Sequence, residues 1–383
     1  MPHLPMLALA GLLATAAVET LCPRLAAAQD PDAVRDPAAY VSHLRERGLI
    51  SPALQPQLQA IANVLVANAR TWPAAQVNGA YDPRAVNIYL VETKASGTID
   101  PRGLTERARG TLLAFPRERL IIGDAGYLAE VKAGADIYWE AVRRRDGSVK
   151  TYDALAIAMI EGPDQAERSR NGANADWRSG TNELFEGAAA FLLAHEMGHL
   201  ALGLDPALEG WVARPRGLAG ADRDRFWACP NLVGSNVDGT RQQEAQADAY
   251  AAKLLASIPH PSAPKRLRYE HGALFLRNAE MGKVVATLIV LSPRGQMLMQ
   301  RAALPMNPEV IRGMGETLSR DEGMMATVFP STHPSQADRM FGVYDVFVLT
   351  PTSAYYGDRT SQSDSAMWQM VIQLMCSSIA QPH

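Results

Sequence analysis

The segment from Gly187 to Leu204 restricts the fold more than any other part of the chain. It is rich in Ala and Leu, and its only ionisable side chains are His195, Glu196 and His199. So apolar a run reads as a buried helix, which tolerates three polar side chains on adjoining positions only where they satisfy one another or a ligand. Residues four apart on a helix share a face, so His195 and His199 present two imidazoles to one point, with Glu196 beside them. Thr181 or Asn182 is the expected N-cap, with Glu183 and Glu186 in the first turn. The helix is expected to end near Leu202, where Gly203 and Asp205-Pro206 follow.

Two imidazoles at this spacing suit a metal ion, and Zn2+ first, because a site with two neutral imidazoles and one carboxylate leaves a position for water and raises its acidity. Glu196 is then the expected general base, taking that water's proton and passing it to a leaving group. The third ligand is sought on a second helix, expected over Arg241–Ser257, where Glu244 and Asp248 lie four residues apart. Glu244 would bind the metal, and Asp248 would accept a hydrogen bond from a ligand histidine and fix its tautomer. The small side chains of Ala245, Ala247, Ala251 and Ala252 would let the two helices approach closely. Alone, this pair could equally form a solvated acidic face. Asp205 competes for the third position, because its distance from His199 matches the last ligand of a metzincin-type site. The bend position holds Leu202, however, and Gly203 comes one residue late, so Asp205 reads more simply as a post-helix turn residue.

A third segment, Ser331-Thr332-His333-Pro334-Ser335, is followed by Arg339. By itself His-Pro is a turn with a surface histidine. Taken in order, the three segments resemble the gluzincin family of zinc endopeptidases typified by the CAAX prenyl protease and HtpX. The resemblance spans roughly Thr181 to Met340. It implies zinc at His195, His199 and Glu244, Glu196 as base, and Asp248 as the group that orients a ligand histidine. It further implies that His333 approaches the site, as oxyanion stabiliser or as a latch on the open metal position, and that Arg339 structures that region. A polypeptide substrate follows from the same likeness.

The rest of the chain sets the frame. An apolar fraction of 47% in 383 residues suffices for a sizeable core, and a formal charge of −3 from nearly balanced acids and bases points to neither nucleic acid nor an anionic surface. The expected fold class is α+β: a mainly helical, zincin-type metallopeptidase domain with a small β-sheet. Residues 1–28 read as a signal peptide, with an apolar stretch from Leu7 to Val18 and a small-residue cleavage site at Ala26-Ala27-Ala28, so the expected location is periplasmic or secreted. Residues 29–115 read as an N-terminal helical portion and 116–383 as the metallopeptidase domain. No later segment, off the presumed catalytic helix, offers the roughly 18 uncharged apolar residues of a membrane span. The membrane-embedded members of the family carry such spans, which makes this chain resemble an exported relative without them.

Strands are expected at Val86–Val91, Leu120–Gly123, Leu155–Ile160 and Val343–Leu349, and Val284–Leu291 reads as a strand or a buried helix. The segment Asp153–Ile160 is the expected sheet edge on which a substrate backbone would add as a further strand. Residues 207–240 form a Gly- and Arg-rich excursion that suits a lid, Met367–Met375 has a helical apolar face, and Cys229 and Cys376 allow one disulfide. Two other readings remain open: a non-catalytic zinc scaffold latched by His333, and a zinc hydrolase of non-protein substrates.

Overall fold

The computed structural model describes residues 37–46, 48, 50–52, 54–70, 86–91, 111–115, 120–161, 175–201, 239–258, 264–291, 307–318 and 336–358. The presumed signal peptide, Asp205, most of the 207–240 excursion, Cys229, His333, Met367–Met375 and Cys376 lie outside them. The described residues build a mainly helical α+β fold with one small mixed sheet. In chain order the elements are α1 (Pro37–Glu46), α2 (Gln55–Ala69), β1 (Asn87–Val91), β2 (Leu112–Phe115), β3 (Leu120–Asp124), α3 (Ala125–Arg144), a 3-10 turn (Thr151–Asp153), α4 (Ala154–Glu161), α5 (Ala175–Ala201), α6 (Gly239–Ser257), α7 (Pro264–Leu291), α8 (Pro308–Leu318) and α9 (Gln336–Leu349).

The sheet order is β1-β3-β2, with β1 parallel and β2 antiparallel to β3. Its strands are short and apolar because both faces are covered. Ile88, Leu90, Leu112 and Ile121 face the main core, whereas Val91, Leu120 and Ile122 pack with Val41 and Leu44 of α1. The outer edge of β1 is closed by an antiparallel bridge from Ile50 to Val91, with the Ser51 N–H donating to the Leu90 carbonyl at 2.9 Å, and by two side chains: Gln55 of α2 accepts from the Leu90 N–H at 3.1 Å and donates to the Ile88 carbonyl, and Gln59 donates to the Val86 carbonyl at 3.0 Å. Chain entry from β3 into α3 is abrupt. Asp124, the last residue of β3, is also the N-cap of α3, its carboxylate accepting from the Gly126 N–H at 2.8 Å. At the other end Arg143 and Arg144 complement the helix dipole, and Arg145 closes the helix in the left-handed region at φ 57°.

Helix α5 is the centre of the molecule. It packs most extensively on α7 and α6, and also touches α2, α3 and β2. Its interior residues Phe185, Ala188 to Phe191, Leu193, Ala194 and Met197 are fully buried. The contact with α7 is backbone on backbone, because a Cβ at Gly272 would meet Gly187 Cα and the Leu184 carbonyl at 2.5 Å. A close approach of this kind needs glycine on at least one side.

Three sequence expectations are corrected here. Leu155–Ile160 is not a strand but most of α4, and with it the expected substrate edge at Asp153–Ile160 disappears. Its large-small alternation, Leu155, Ala156, Ile157, Ala158, mimics a period of two. Yet Ala, Leu and Met are helix formers, and Leu155 nestles against Gly134 of α3, where a Cβ would sit 2.9 Å from its Cδ2. Val343–Leu349 is likewise helical, the end of α9. Its β-branched residues suggest a strand, but the buried positions Met340, Val343, Val346, Phe347 and Thr350 follow a period near 3.6. Finally, α5 begins at Ala175, earlier than Thr181 or Asn182, and runs through Gly180, whose cost inside a helix is only about 1 kcal/mol.

The remaining element expectations are met in outline. Val86–Val91 contains β1, Leu120–Gly123 is most of β3, and Val284–Leu291 is helical, the C-terminal part of α7. Strand β2 and helices α3 and α8 were not anticipated. The sheet draws β1 and β2 from before residue 115 and β3 from after it. No helix among the described residues is long and apolar enough to cross a membrane.

Candidate metal centre

Two helices meet at the candidate site with almost nothing between them. A Cβ at Gly198 of α5 would lie 2.8 Å from the Cα of Ala247 on α6 and 3.1 Å from its carbonyl oxygen. That approach sets the His195–His199 turn of α5 against the Glu244–Asp248 turn of α6.

The side chains converge accordingly. His195 Nε2 lies 3.1 Å from Glu244 Oε2 and 3.1 Å from His199 Nε2, and His199 Nε2 lies 3.3 Å from Glu244 Oε1. The two imidazole rings stand edge to face with centroids 4.8 Å apart. A tetrahedral ion with bonds of about 2.0–2.1 Å sets neighbouring ligand atoms about 3.3 Å apart, which is the spacing observed. Glu196 completes the group: ligand atoms of His195, Glu196 and His199 all lie within 4.8 Å of one another and can hold a metal ion.

The hydrogen bonds behind His195 decide its tautomer. Asp248 Oδ1 lies 2.8 Å from His195 Nδ1, and the same carboxylate accepts from Arg339 Nη2 at 2.9 Å and Nε at 2.7 Å, and from Arg277 Nη2 at 2.6 Å. Arg339 Nη2 is 3.4 Å from His195 Nδ1, too far to compete with the carboxylate. An ionised carboxylate only accepts, so Nδ1 carries a proton, and in the neutral imidazole Nε2 is left with its lone pair towards the Glu244 carboxylate. A lone pair facing a carboxylate at 3.1 Å calls for a cation between or upon them. This donor set therefore fits a bound divalent metal.

Electrostatics point the same way. Burial works to lower the His195 pKa, but the charge and hydrogen bond of Asp248, with help from Glu244, outweigh it and push the imidazole up to about 9. With no metal, a proton supplies the missing positive charge. Burial also raises the Glu196 carboxyl above its ordinary range, partly opposed by His195 and His199. Asp248 is held well below the ordinary carboxylate range: burial pushes it up, and Arg277, Arg339 and His195 together overcome that.

The structure thus brings His195, Glu196, His199, Glu244, Asp248 and Arg339 into one cluster, and His333 lies outside the described residues. Sequence reading missed Arg277, which is wholly buried on α7. A signal existed: Ala273, Arg277 and Met281 share one helix face at four-residue steps, and a guanidinium on an apolar stripe marks a buried partner.

No family model, curated protein or solved structure matches this chain. The functional reading stands on the geometry of the site and on its sequence motifs.

Proposed function

We propose that this chain is a zinc-dependent endopeptidase of the gluzincin kind, with His195, His199 and Glu244 holding the metal and Glu196 as general base. The observation that carries the reading is the convergence of three donor groups at 3.1–3.3 Å, from two helices in backbone contact, with a buried carboxyl alongside. Two neutral imidazoles and one carboxylate favour zinc over the hard, oxygen-loving cations. When bound, zinc supplies Lewis acidity that makes water nucleophilic near neutral pH.

The chain's own groups do the rest. Glu196, its pKa raised by burial toward working pH, takes the proton of the attacking water and delivers it to the leaving amine. Asp248 holds the Nδ1–H of His195, and Arg339 holds Asp248. Among the described residues β2 pairs with β3 alone, and it packs beside α5, so its outer edge takes the place of Asp153–Ile160 as the strand on which a substrate backbone would add. The resemblance to the CAAX prenyl protease and HtpX family supplies the endoproteolytic assignment and the expected approach of His333. Export through residues 1–28 would direct the enzyme to exported or misfolded polypeptides.

The test is zinc content and casein cleavage by the purified wild type and by Glu196→Gln. Zinc near one equivalent, with turnover lowered about 10²- to 10⁴-fold in the mutant, is the expected result. Equal cleavage by both proteins sinks the proposal. Zinc with no cleavage by the wild type favours the latched scaffold.

A further inference from the structure

Asp248 is gripped from two sides. Arg339 of α9 binds it bidentately, and a second guanidinium reaches Oδ1 from α7. Arg277 is fully buried and is itself held on three sides. Its Nη1 donates to Glu280 Oε2 at 2.5 Å, one turn further along α7, and the Tyr127 hydroxyl of α3 donates to the other Glu280 oxygen at 2.6 Å. Its guanidinium lies 4.6 Å over the ring of Phe191, one turn before His195 on α5. Arg277 Nε is buried with no hydrogen-bond partner among the described residues, so the two terminal nitrogens and the ring contact alone fix this group.

This arrangement differs in kind from the Arg339 contact. Helix α7 is in backbone contact with α5 at Gly272, close to the helix turn that leads to His195. Arg277 therefore references the Asp248 carboxylate of α6 to the frame that carries His195. A buried charge costs several kcal/mol unless it is paired. Here the pairing runs without a break from Tyr127 through Glu280, Arg277 and Asp248 to the histidine.

We propose that Arg277, braced by Glu280 and Tyr127, is a positioning residue of the metal centre that locks the Asp248 carboxylate so that His195 presents Nε2 to the ion. The inference rests on the metal-site reading above and assigns Arg277 no contact with metal or substrate. Outer-shell partners of metal ligands typically govern affinity by 10- to 100-fold.

The experiment measures Zn2+ and Co2+ affinity of the full chain by chelator competition, together with the Co2+ visible absorption spectrum. The proteins are wild type, Arg277→Met, Arg277→Lys, Glu280→Gln, Asp248→Asn and the double variant Arg277→Met/Asp248→Asn. Arg277→Met is expected to bind metal about 10- to 100-fold more weakly and to alter the Co2+ spectrum, with Arg277→Lys recovering part of the loss. Since both groups act through one carboxylate, Arg277→Met should cost less than about threefold more in the Asp248→Asn background. Folded Arg277→Met and Arg277→Lys proteins that bind within about twofold of wild type overturn the proposal, as does an equal loss in both backgrounds. Should Arg277→Met fail to fold by circular dichroism, Arg277→Lys and Glu280→Gln are judged by the same criteria. A wild type that binds neither metal overturns the metal-site reading and this inference with it, whereas wild-type binding with insensitive variants overturns this inference alone.

Discussion

At the scale of single residues, the metal site proposed above would set a proton and a metal in competition for one lone pair. His195 is pushed up to about 9 by Asp248 against the opposing effect of burial, so below that pH the metal-free imidazole is protonated. A ligand histidine must be neutral, and metal binding then releases a proton. The sign follows: metal affinity rises with pH, by about tenfold per unit for one displaced proton, and levels off near pH 9. Chelator competition between pH 6 and 10 checks this, and a flat profile below pH 9 would mean that His195 is not a ligand.

A second titrating group belongs to an element. Asp153 ends the 3-10 turn before α4, fully buried, and its carboxylate accepts from the Lys150 N–H at 3.2 Å and is also served by the backbone of Asn307. Burial raises its pKa from 3.8 to about 6, against the smaller effects of its backbone hydrogen bonds. A folded-state value above the unfolded one means that the acid's contribution to stability is complete below about pH 4 and is lost as pH rises through 6. Asp153→Asn keeps one acceptor and cannot ionise. It should therefore raise the unfolding midpoint at pH 8 and leave it nearly unchanged at pH 4, as differential scanning calorimetry would show. The same element scale governs the crossing of α5 and α6. Gly198→Ala forces a methyl to 2.8 Å from Ala247 Cα, so the ligand-bearing helices must part. Metal affinity should fall at least tenfold, and a loss of roughly 1–3 kcal/mol in stability is expected for overpacking of this kind. Gly342→Ala on α9, where a Cβ meets nothing within 4 Å, is the matched control and should be neutral or slightly stabilising. Equal behaviour of the two variants would show that the crossing is not tight.

For the whole molecule, the candidate ligands lie on two helices far apart in sequence, and Asp248 draws in α7 and α9 through Arg277 and Arg339. Binding confined to the folded state then stabilises the molecule by RT ln(1 + [L]/Kd), about 4 kcal/mol at a thousandfold excess over Kd. The unfolding midpoint should rise with added Zn2+ and fall again with chelator; no shift at saturating zinc would argue against a site assembled by folding. Much of this centre was legible in the sequence because His195 and His199, and likewise Glu244 and Asp248, sit four residues apart, with Glu196 beside the first histidine, a spacing that survives without any knowledge of tertiary packing. Arg277 was not legible in the same way. Its one sequence neighbour at helical spacing, Glu280, reads as an ordinary ion pair, and its meaning for the site comes from a carboxylate 29 residues away. The strands β1 and β3 were readable as short runs rich in apolar and β-branched residues, whereas Leu155–Ile160 and Val343–Leu349 were misread because a short apolar segment carries too few residues to separate a period of two from one of 3.6.

The side chains of Gln55 and Gln59 on the outer edge of β1 have a consequence for self-association. In polymer terms, a three-stranded sheet with two open edges is a bifunctional monomer, able to add copies at both ends and grow into a fibre. Gln55 and Gln59 act as a chain terminator on one end, taking up the Leu90 N–H and the Ile88 and Val86 carbonyls that a neighbouring strand would need. Among the described residues, the β2 side is then the one edge left for addition. Whatever strand joins the β2 side, be it a substrate or a second copy, propagation through this sheet stops at that single addition.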